Sequence, residues 1–169
     1  MYVVTYHAEY ISHNFVIIHL FFLLVQVEAL DNSQVKAVEG GGHHSLCLAQ
    51  NGRLIAFGRG DSGQLGITDG IPPVGYLEEN PVEVLLPGDD GTSEQPKDPV
   101  VQISCGTNHN LAITECGDVY TWGYGDMSAL GHGKDKDEYR PMKLKLKDGW
   151  KTHQAVGGGQ HSALLCTKD

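Results

Sequence analysis

Two stretches of this sequence are versions of one another. Residues 41–66 read GGHHSLCLAQNGRLIAFGRGDSGQLG, and residues 106–131 read GTNHNLAITECGDVYTWGYGDMSALG. They align without a gap, so that His44 and His109 (109 − 44 = 65) occupy the same position. A third copy begins at residue 157 with GGGQHSALLCTKD, in which His161 takes that position. Self-similarity of this kind is the sequence signature of a repeat architecture.

Each full unit has the pattern of short β-strands separated by glycine turns. In the first unit, an alternating strand at 45–49 leads through Asn51-Gly52 into a second strand at 53–57. Asn-Gly is a strong hairpin signal, and we expect a two-residue turn in which both residues have positive φ. A glycine-bounded turn, a variable loop and an apolar strand at 81–85 follow. The second unit has the same order of elements: a strand at 110–114, a turn at Cys116-Gly117, a strand at 118–122 and an apolar strand at 141–146.

Short strands in repeats of this length predict an all-β fold in which each unit forms one blade of a β-propeller. The motifs resemble the repeats of the regulator of chromosome condensation (RCC1) family, whose units combine a Gly-x-x-His start, an Asn-Gly or Asp-Gly hairpin and a Trp-Gly-x-Gly segment. That segment stands here as Phe57-Gly58-Arg59-Gly60 and as Trp122-Gly123-Tyr124-Gly125. The family segment ends in Gly-Gln-Leu-Gly, which stands here as Gly63-Gln64-Leu65-Gly66 in the first repeat. The second repeat departs from this pattern, because it has Ser128-Ala129 in place of Gly-Gln.

The resemblance covers residues 27–169, which hold two full units and a terminal fragment. It is closest to the last blades of the protein that gives the family its name. It therefore implies part of a seven-bladed propeller, of which this chain supplies the C-terminal blades and lacks the first four. The resemblance also implies a guanine-nucleotide exchange factor, and because blades are missing we expect exchange by this chain alone to be weak.

The residues that recur between units are expected to be structural. Glycines at the turns allow backbone that other residues avoid. Phe57 and Trp122 share one register and are expected to anchor the core, while His44 and His109 are expected to bond backbone across their own blade. The recurring glycines are Gly41, Gly52, Gly58, Gly66, Gly117, Gly123 and Gly131.

His43 breaks the repeat, because the other units have Asn108 and Gln160 at its position. Repeats depart from their own pattern where function is added. The resemblance implies that His43 first, His161 second, and also His44, lie on the face that engages the small GTPase Ran. It implies a guanine-nucleotide exchange factor that performs no covalent chemistry and acts at chromatin in the nucleus, with the cytoplasm as the alternative location. Histone or chromatin contacts would belong to parts of the parent that this chain lacks. The alternative function is a non-catalytic scaffold that binds a protein or chromatin.

Composition narrows the classes of ligand. The net charge of −9, from 12 basic and 21 acidic residues, opposes nucleic-acid binding unless a basic patch is segregated, and only 143–151 forms such a cluster. The four cysteines are far apart and the histidines recur once per blade, so no metal or disulfide framework is expected. The Gly-x-Gly-x-x-Gly match at 58–63 lacks a helix start after it, so no cofactor is expected. Since the resemblance implies a protein partner, no small-molecule substrate and no membrane contact are expected either.

Residues 1–26 do not match the repeats. They include most of an apolar run at 15–27, FVIIHLFFLLVQV, which is shorter than the roughly 20 residues of a membrane span. The flank before it has no Lys or Arg, and no small-x-small cleavage site follows, which disfavours a signal peptide or anchor. The other interpretations are a buried β-segment and, preferred here, translated non-coding sequence joined to a truncated gene.

Overall fold

The computed structural model describes residues 17–20, 23–27, 30, 32–88 and 98–168. Within these ranges the secondary structure consists of antiparallel β-sheets and short 3-10 turns, one of which spans Asp126–Ser128. Strands β1 (Ile17–Leu20) and β2 (Leu23–Gln26) form a hairpin within the apolar N-terminal run; residues 1–16 and 21–22 of the segment lie outside the described residues. In this part of the chain, no helix has the length and apolar character that a membrane crossing needs.

The two full repeats each form one four-stranded sheet. The first blade comprises β3 (Val35–Gly40), β4 (His44–Ala49), β5 (Leu54–Arg59) and β6 (Leu77–Val84) in that spatial order. The second comprises β7 (Val100–Cys105), β8 (His109–Thr114), β9 (Val119–Gly123) and β10 (Glu138–Lys143). The third copy forms a two-stranded sheet of β11 (Trp150–Gly157) and β12 (Ser162–Lys168). The predicted all-β propeller blades are confirmed.

The hairpins between the second and third strands differ from the predicted two-residue turns. In the first blade, the Gly52 amide donates to the carbonyl of Ala49 at 3.0 Å, and only Gly52, at φ 85°, has a positive φ in the loop 50–52. The second blade has the same arrangement at Gly117, at φ 95°. A three-residue loop with one left-handed residue requires glycine only at its last position. This explains why Cys116 is accepted where the first repeat has asparagine.

The departure at Ser128 has a backbone consequence. Ser128 adopts a φ of 56°, at the position where the first blade has Gly63 with a φ of 77°. Its amide and hydroxyl both donate to one carboxylate oxygen of Asp135, at 2.7 and 2.9 Å. These two bonds offset part of the steric cost that a side chain pays in the left-handed region.

The cores lie between blades, which is why both faces of the middle strands are apolar. Trp122 and Phe57 are buried as predicted, each at the same register of its blade. The larger cluster fills the space between the first and second blades; its buried members are Leu46, Leu48, Leu54, Ala56, Leu65, Val84, Leu86, Val100, Ile103, Cys105, Ala112, Tyr120 and Trp122. A smaller cluster lies between the second and third blades and contains Leu111, Ile113, Val119 and Ala155.

The other face of the first blade is covered from the N-terminal side. Phe57, Ile55 and Cys47 lie in a cluster with Leu30, against which Val27 also packs. Burying such side chains stabilises a fold by about 1.5–3 kcal/mol each relative to leaving them exposed. The apolar residues around position 27 therefore belong to the packing of the first blade.

The first strands of neighbouring blades lie side by side. The side-chain amide of Gln102, in β7, donates to the carbonyl of Ala155, in β11, at 3.2 Å. The amide of Gly157 donates to the hydroxyl of Ser104 at 3.0 Å. These contacts place the first strand of each blade innermost, as in sheets arranged around a central axis.

Candidate protein-binding face

The loops that join the first and second strands of the three blades gather at one end of the molecule. These loops comprise residues 41–43, 106–108 and 158–161. The amide of Gly42 donates to the carbonyl of Thr107 at 2.8 Å, and the amide of Thr107 donates to the carbonyl of Gly158 at 3.1 Å. We call this surface, together with Arg59 and Tyr124 beside it, the histidine face.

His43 is exposed on this face, and its backbone is fixed by the neighbouring strand end. Its carbonyl accepts the amide of Arg59 at 2.8 Å. In the second blade the carbonyl of Asn108 accepts the amide of Tyr124 at the same distance of 2.8 Å. His43 and Asn108 therefore have equivalent, rigidly held backbones and differ in the side chain that they present.

His161 is also exposed, in the loop that precedes β12. In the alignment of the repeats, His161 corresponds to His44, and Gln160 corresponds to His43. The structure therefore places His43 and His161 at the same end, on loops of the first and third blades. The loop 106–108 lies between them, with Thr107 exposed.

Two polar pairs beside these loops were not found from the sequence. The guanidinium of Arg59 donates to both carboxylate oxygens of Asp61, at 2.8 and 2.6 Å, and the amide of Gly75 also donates to Asp61, at 3.2 Å. The bond from Arg59 lowers the pKa of Asp61 below its ordinary value. In the second blade the hydroxyl of Tyr124 donates to Asp126 at 3.1 Å. In both blades the pair joins residues two apart at the same position of the repeat, and this shared spacing is the sequence signal that could have revealed them.

His44 does not lie on this face. Only 4% of its surface is exposed, and its Nε2 lies 2.8 Å from the side-chain oxygen of Asn110 in the second blade. Since that oxygen is an acceptor, Nε2 carries the proton. Burial lowers the pKa of His44 to about 4, so the ring is neutral at physiological pH. The prediction that His44 bonds backbone within its own blade is wrong, and its burial removes it from the residues that a partner can touch.

The same junction recurs between the second and third blades. His109 Nε2 lies 3.0 Å from the hydroxyl of Ser162, which donates to the carbonyl of Ala129 at 2.8 Å. In the first junction Asn110 donates to the carbonyl of Gln64 at 2.6 Å. Ser162 and Asn110 occupy equivalent positions, as do Ala129 and Gln64. Each histidine thus binds a polar residue of the following blade, which in turn binds a carbonyl of the histidine's own blade.

The glycine three residues before each of these histidines has a packing role. A methyl group at Gly41, Gly106 or Gly158 would overlap the imidazole of the histidine that follows it. The ring packs against the glycine backbone, and the loop is closed by a backbone hydrogen bond, such as the one that the Gly106 amide donates to the carbonyl of His109 at 2.8 Å. The Gly-x-x-His motif is therefore a structural unit of the blade.

The Gly-x-G-x-x-G match forms turns. The amide of Gly63 donates to the carbonyl of Gly60 at 3.1 Å, and the amide of Gly66 donates to that of Gly63 at 2.9 Å. Two consecutive turns occupy the place where a dinucleotide site opens a helix. The backbone of Gly66 faces the indole of Trp122, which donates to the carbonyl of Gln64 at 3.2 Å. Gly63 and Gly66 therefore serve the junction between blades, because a side chain at either position would meet Tyr139 or Trp122 of the second blade.

Comparison with known proteins places the repeats in a family. A model of the regulator of chromosome condensation (RCC1) repeat matches residues 51–113 and 116–165, and a second model of that repeat matches 35–64 and 100–128. The chain is 38% identical over 147 residues to the human E3 ubiquitin-protein ligase HERC2, covering 86% of this chain and 3% of that protein. It is 38% identical over 129 residues to protein pim1 of Schizosaccharomyces pombe, covering 72% of this chain and 22% of pim1.

Further matches agree. The human regulator of chromosome condensation is 31% identical over 128 residues, covering 75% of this chain and 27% of that protein. The crystal structure of Prp20p from Saccharomyces cerevisiae superposes with a TM-score of 0.70 at 24% identity, covering 89% of this chain and 36% of Prp20p. The chain thus spans less than a third of each of these curated relatives. From the repeated motifs, the blades they build and these matches together, the chain belongs to the RCC1-repeat family of β-propellers.

Proposed function

We propose that this chain supplies part of the GTPase-binding face of a guanine-nucleotide exchange factor for a Ran-type small GTPase. The observation that carries this proposal is the exposure of His43 on the first blade and His161 on the third, at the same end of the molecule. A neutral imidazole both donates and accepts hydrogen bonds, which suits competition for a partner's polar loops. The relatives named regulator of chromosome condensation and Prp20p support the choice of partner class, the latter being described for binding to Gsp1p and histones.

Exchange of this kind requires differential affinity and no bond chemistry. A surface that binds the nucleotide-free GTPase more tightly than the nucleotide-bound form shifts the equilibrium toward release of GDP. Arg59 adds a guanidinium to the histidine face, where its side chain is 49% exposed while paired with Asp61. A partner carboxylate that draws Arg59 away from Asp61 would gain a charge-assisted bond. We propose a nuclear, chromatin-associated location for the whole protein.

The second candidate is a scaffold that binds a protein partner without nucleotide exchange. The observation that favours it is the identity of 38% to a ubiquitin ligase of which this chain covers only 3%. RCC1 repeats thus occur in proteins that are named for other activities. On this alternative the histidine face binds a partner whose affinity does not depend on bound nucleotide.

The test measures binding and exchange together. Immobilised Ran, either stripped of nucleotide or loaded with GDP, is titrated with the full chain, and release of a fluorescent GDP analogue is followed in parallel. We expect tighter binding to nucleotide-free Ran, and we expect His43→Ala and His161→Ala each to weaken it by about five- to tenfold. His153→Ala is the matched control, because His153 is exposed in β11 and lies outside the loops of the histidine face.

The outcomes separate the two candidates. Equal affinity for the two forms of Ran, with no faster release of the analogue, would contradict the exchange proposal and favour the scaffold. If His153→Ala weakened binding as much as His43→Ala, the proposal that Ran binds at the histidine face would be contradicted. Denaturation midpoints for all three variants check that each remains folded.

A further inference from the structure

The end of the propeller opposite the histidine face carries a groove lined by lysines. It lies between residues 116–118 and the segment 143–150, and it has an open cavity of about 510 Å³. The turn 115–117 closes the far ends of β8 and β9, so the groove is separated from the histidine face by the length of the strands. We call this feature the lysine groove.

Basic side chains are concentrated here in an acidic chain. Lys145 and Lys147 line the cavity and are exposed, and Lys151 packs its stem against the turn at Gly117. Lys143 also lines the cavity, and Lys168 pairs with Trp150 across β11 and β12. Two acids, Asp118 and Asp148, also line the cavity, and Glu115 precedes its first lining residue in the sequence. Five of the nine lysines of the sequence therefore meet in one place, although the net charge of the chain is −9.

The groove is specific to the second repeat. In the first blade Arg53 pairs with Glu83 at 2.9 Å, and at the equivalent positions of the second blade Asp118 pairs with Lys143 at 2.6 Å. The ion pair is kept with its polarity reversed. The first repeat has leucine and proline at positions 85 and 87, where the second has Lys145 and Lys147. Blade packing does not require these lysines, because the first blade forms the same sheet without them.

Apolar surface accompanies the charge. Leu144 and Leu146 alternate with the lysines and pack partly buried on the core between the second and third blades. Trp150 borders the cavity with 44% of its surface exposed. In extended chain, alternate residues are about 6.6 Å apart, so lysines at every second position match carboxylates at every second position of an extended peptide. Among the described residues, no carboxylate pairs with Lys145 or Lys147.

We propose that the lysine groove binds an extended acidic polypeptide segment that places an apolar side chain beside Trp150. Opposite charge brings the segment to the groove, and the cavity with Trp150 supplies the contact that is removed from water. A polyphosphate fits less well, because it has no apolar group to place against Leu144, Leu146 and Trp150. This inference does not depend on the GTPase proposal, since it concerns the other end of the molecule.

The test uses a fluorescein-labelled peptide in which three glutamates alternate with isoleucine and phenylalanine, titrated against the full chain by anisotropy. We expect saturable binding that weakens as salt is added. Lys145→Glu with Lys147→Glu should weaken binding by about tenfold or more. Lys134→Glu with Lys136→Glu makes the same change in net charge at the histidine-face end of the second blade, and it should leave binding within about twofold.

Tryptophan fluorescence reports the apolar contact. Trp150 is exposed and Trp122 is buried, so bound peptide should change the emission of Trp150, and Trp150→Phe should abolish that change. If the charge-reversal variant is not folded, Lys145→Gln with Lys147→Gln is used, with an expected loss of about threefold. The proposal is overturned if the groove variant binds like wild type, or if a peptide with serines in the apolar positions binds equally well. It is also overturned if a single-stranded oligonucleotide binds more tightly than the peptide.

Discussion

The imidazole Nε2 of His44 in the first blade lies 2.8 Å from the side-chain oxygen of Asn110 in the second. The same oxygen accepts the thiol of Cys105 at 3.0 Å, and the Asn110 amide donates to the carbonyl of Gln64 at 2.6 Å. Asn110 is fully buried, so these bonds form where water cannot replace them. One side chain thus ties two blades together at their apolar junction.

Asn110→Ala should therefore be strongly destabilising. It leaves the Nε2 proton of His44 buried without its partner and removes one of the two donors to the carbonyl of Gln64, the other being the indole of Trp122. Together these losses cost about 2–4 kcal/mol of unfolding free energy. Urea denaturation at pH 7.5 measures the loss. Asn110→Ser, which introduces the residue that the third repeat has at this position, should lose less, whereas a loss below about 0.5 kcal/mol for Asn110→Ala would show that the junction is not stabilising.

Acidification should weaken the same junction. The pKa of His44 is about 4 in the folded chain against an ordinary value of 6.5, because burial disfavours the charged ring. The unfolded chain therefore binds a proton more readily between pH 6.5 and 4, and the stability present above pH 6.5 is lost as the pH falls through this window. From pH 7 to pH 5 the loss from His44 is about 2 kcal/mol.

Burial also lowers the pKa of His109, which adds a loss of the same sign. Denaturation midpoints measured at half-unit pH steps check the slope. His44→Gln should be less stable at pH 7.5 but should show a shallower decline toward pH 5. An unchanged slope in that variant would assign the pH dependence to other groups.

The reversed ion pairs should contribute little to stability. Arg53 with Glu83 and Asp118 with Lys143 are all partly exposed, and pairs of this kind contribute about 1 kcal/mol or less. We expect Asp118→Arg with Lys143→Glu, which copies the polarity of the first blade, to change the unfolding free energy by less than about 0.5 kcal/mol. Each single change should cost more than the pair, and urea denaturation of all three variants forms the cycle that tests this.

Two adjacent glycines should respond very differently to alanine. A methyl group at Gly41 would overlap the ring of His44 and lie 2.9 Å from the carbonyl of Gly106, whereas one at Gly40 meets nothing within 4 Å. Gly41→Ala should cost about 2–4 kcal/mol, since neither neighbour can move without disturbing the junction. Gly40→Ala should be close to neutral. Thermal denaturation compares the two, and equal midpoints would contradict the packing role of the Gly-x-x-His motif.

Much of the fold could be predicted because the alternating residues and glycine turns of each repeat indicate where its strands and turns lie. The second strand of the first blade was expected at 45–49 and is found at His44–Ala49. The fourth strands are predicted at 81–85 and 141–146 but span Leu77–Val84 and Glu138–Lys143, so that Pro81 and Pro141 lie inside them. Proline is tolerated inside an outer edge strand, so it does not mark a strand boundary there.

The candidate site was harder to predict than the blades. His43 stood out because it breaks the repeat, but the partner of His44 could not be read from its own repeat, since Asn110 belongs to the next one. The pairs at Arg59 and Tyr124 were missed because alignment of repeats draws attention to identical residues. Here the geometry is shared while the residue types differ.

The bonds between blades also give the chain a direction. Each histidine reaches forward to the following blade, and each carbonyl at the position of Gln64 receives a side chain from that same blade. A repeat transplanted between relatives would consequently keep its sheet yet mismatch its neighbours, unless the donor and the acceptor of a junction were moved as a set. If such proteins evolve by duplication, we expect each duplicated unit to contain a whole junction and therefore parts of two neighbouring blades.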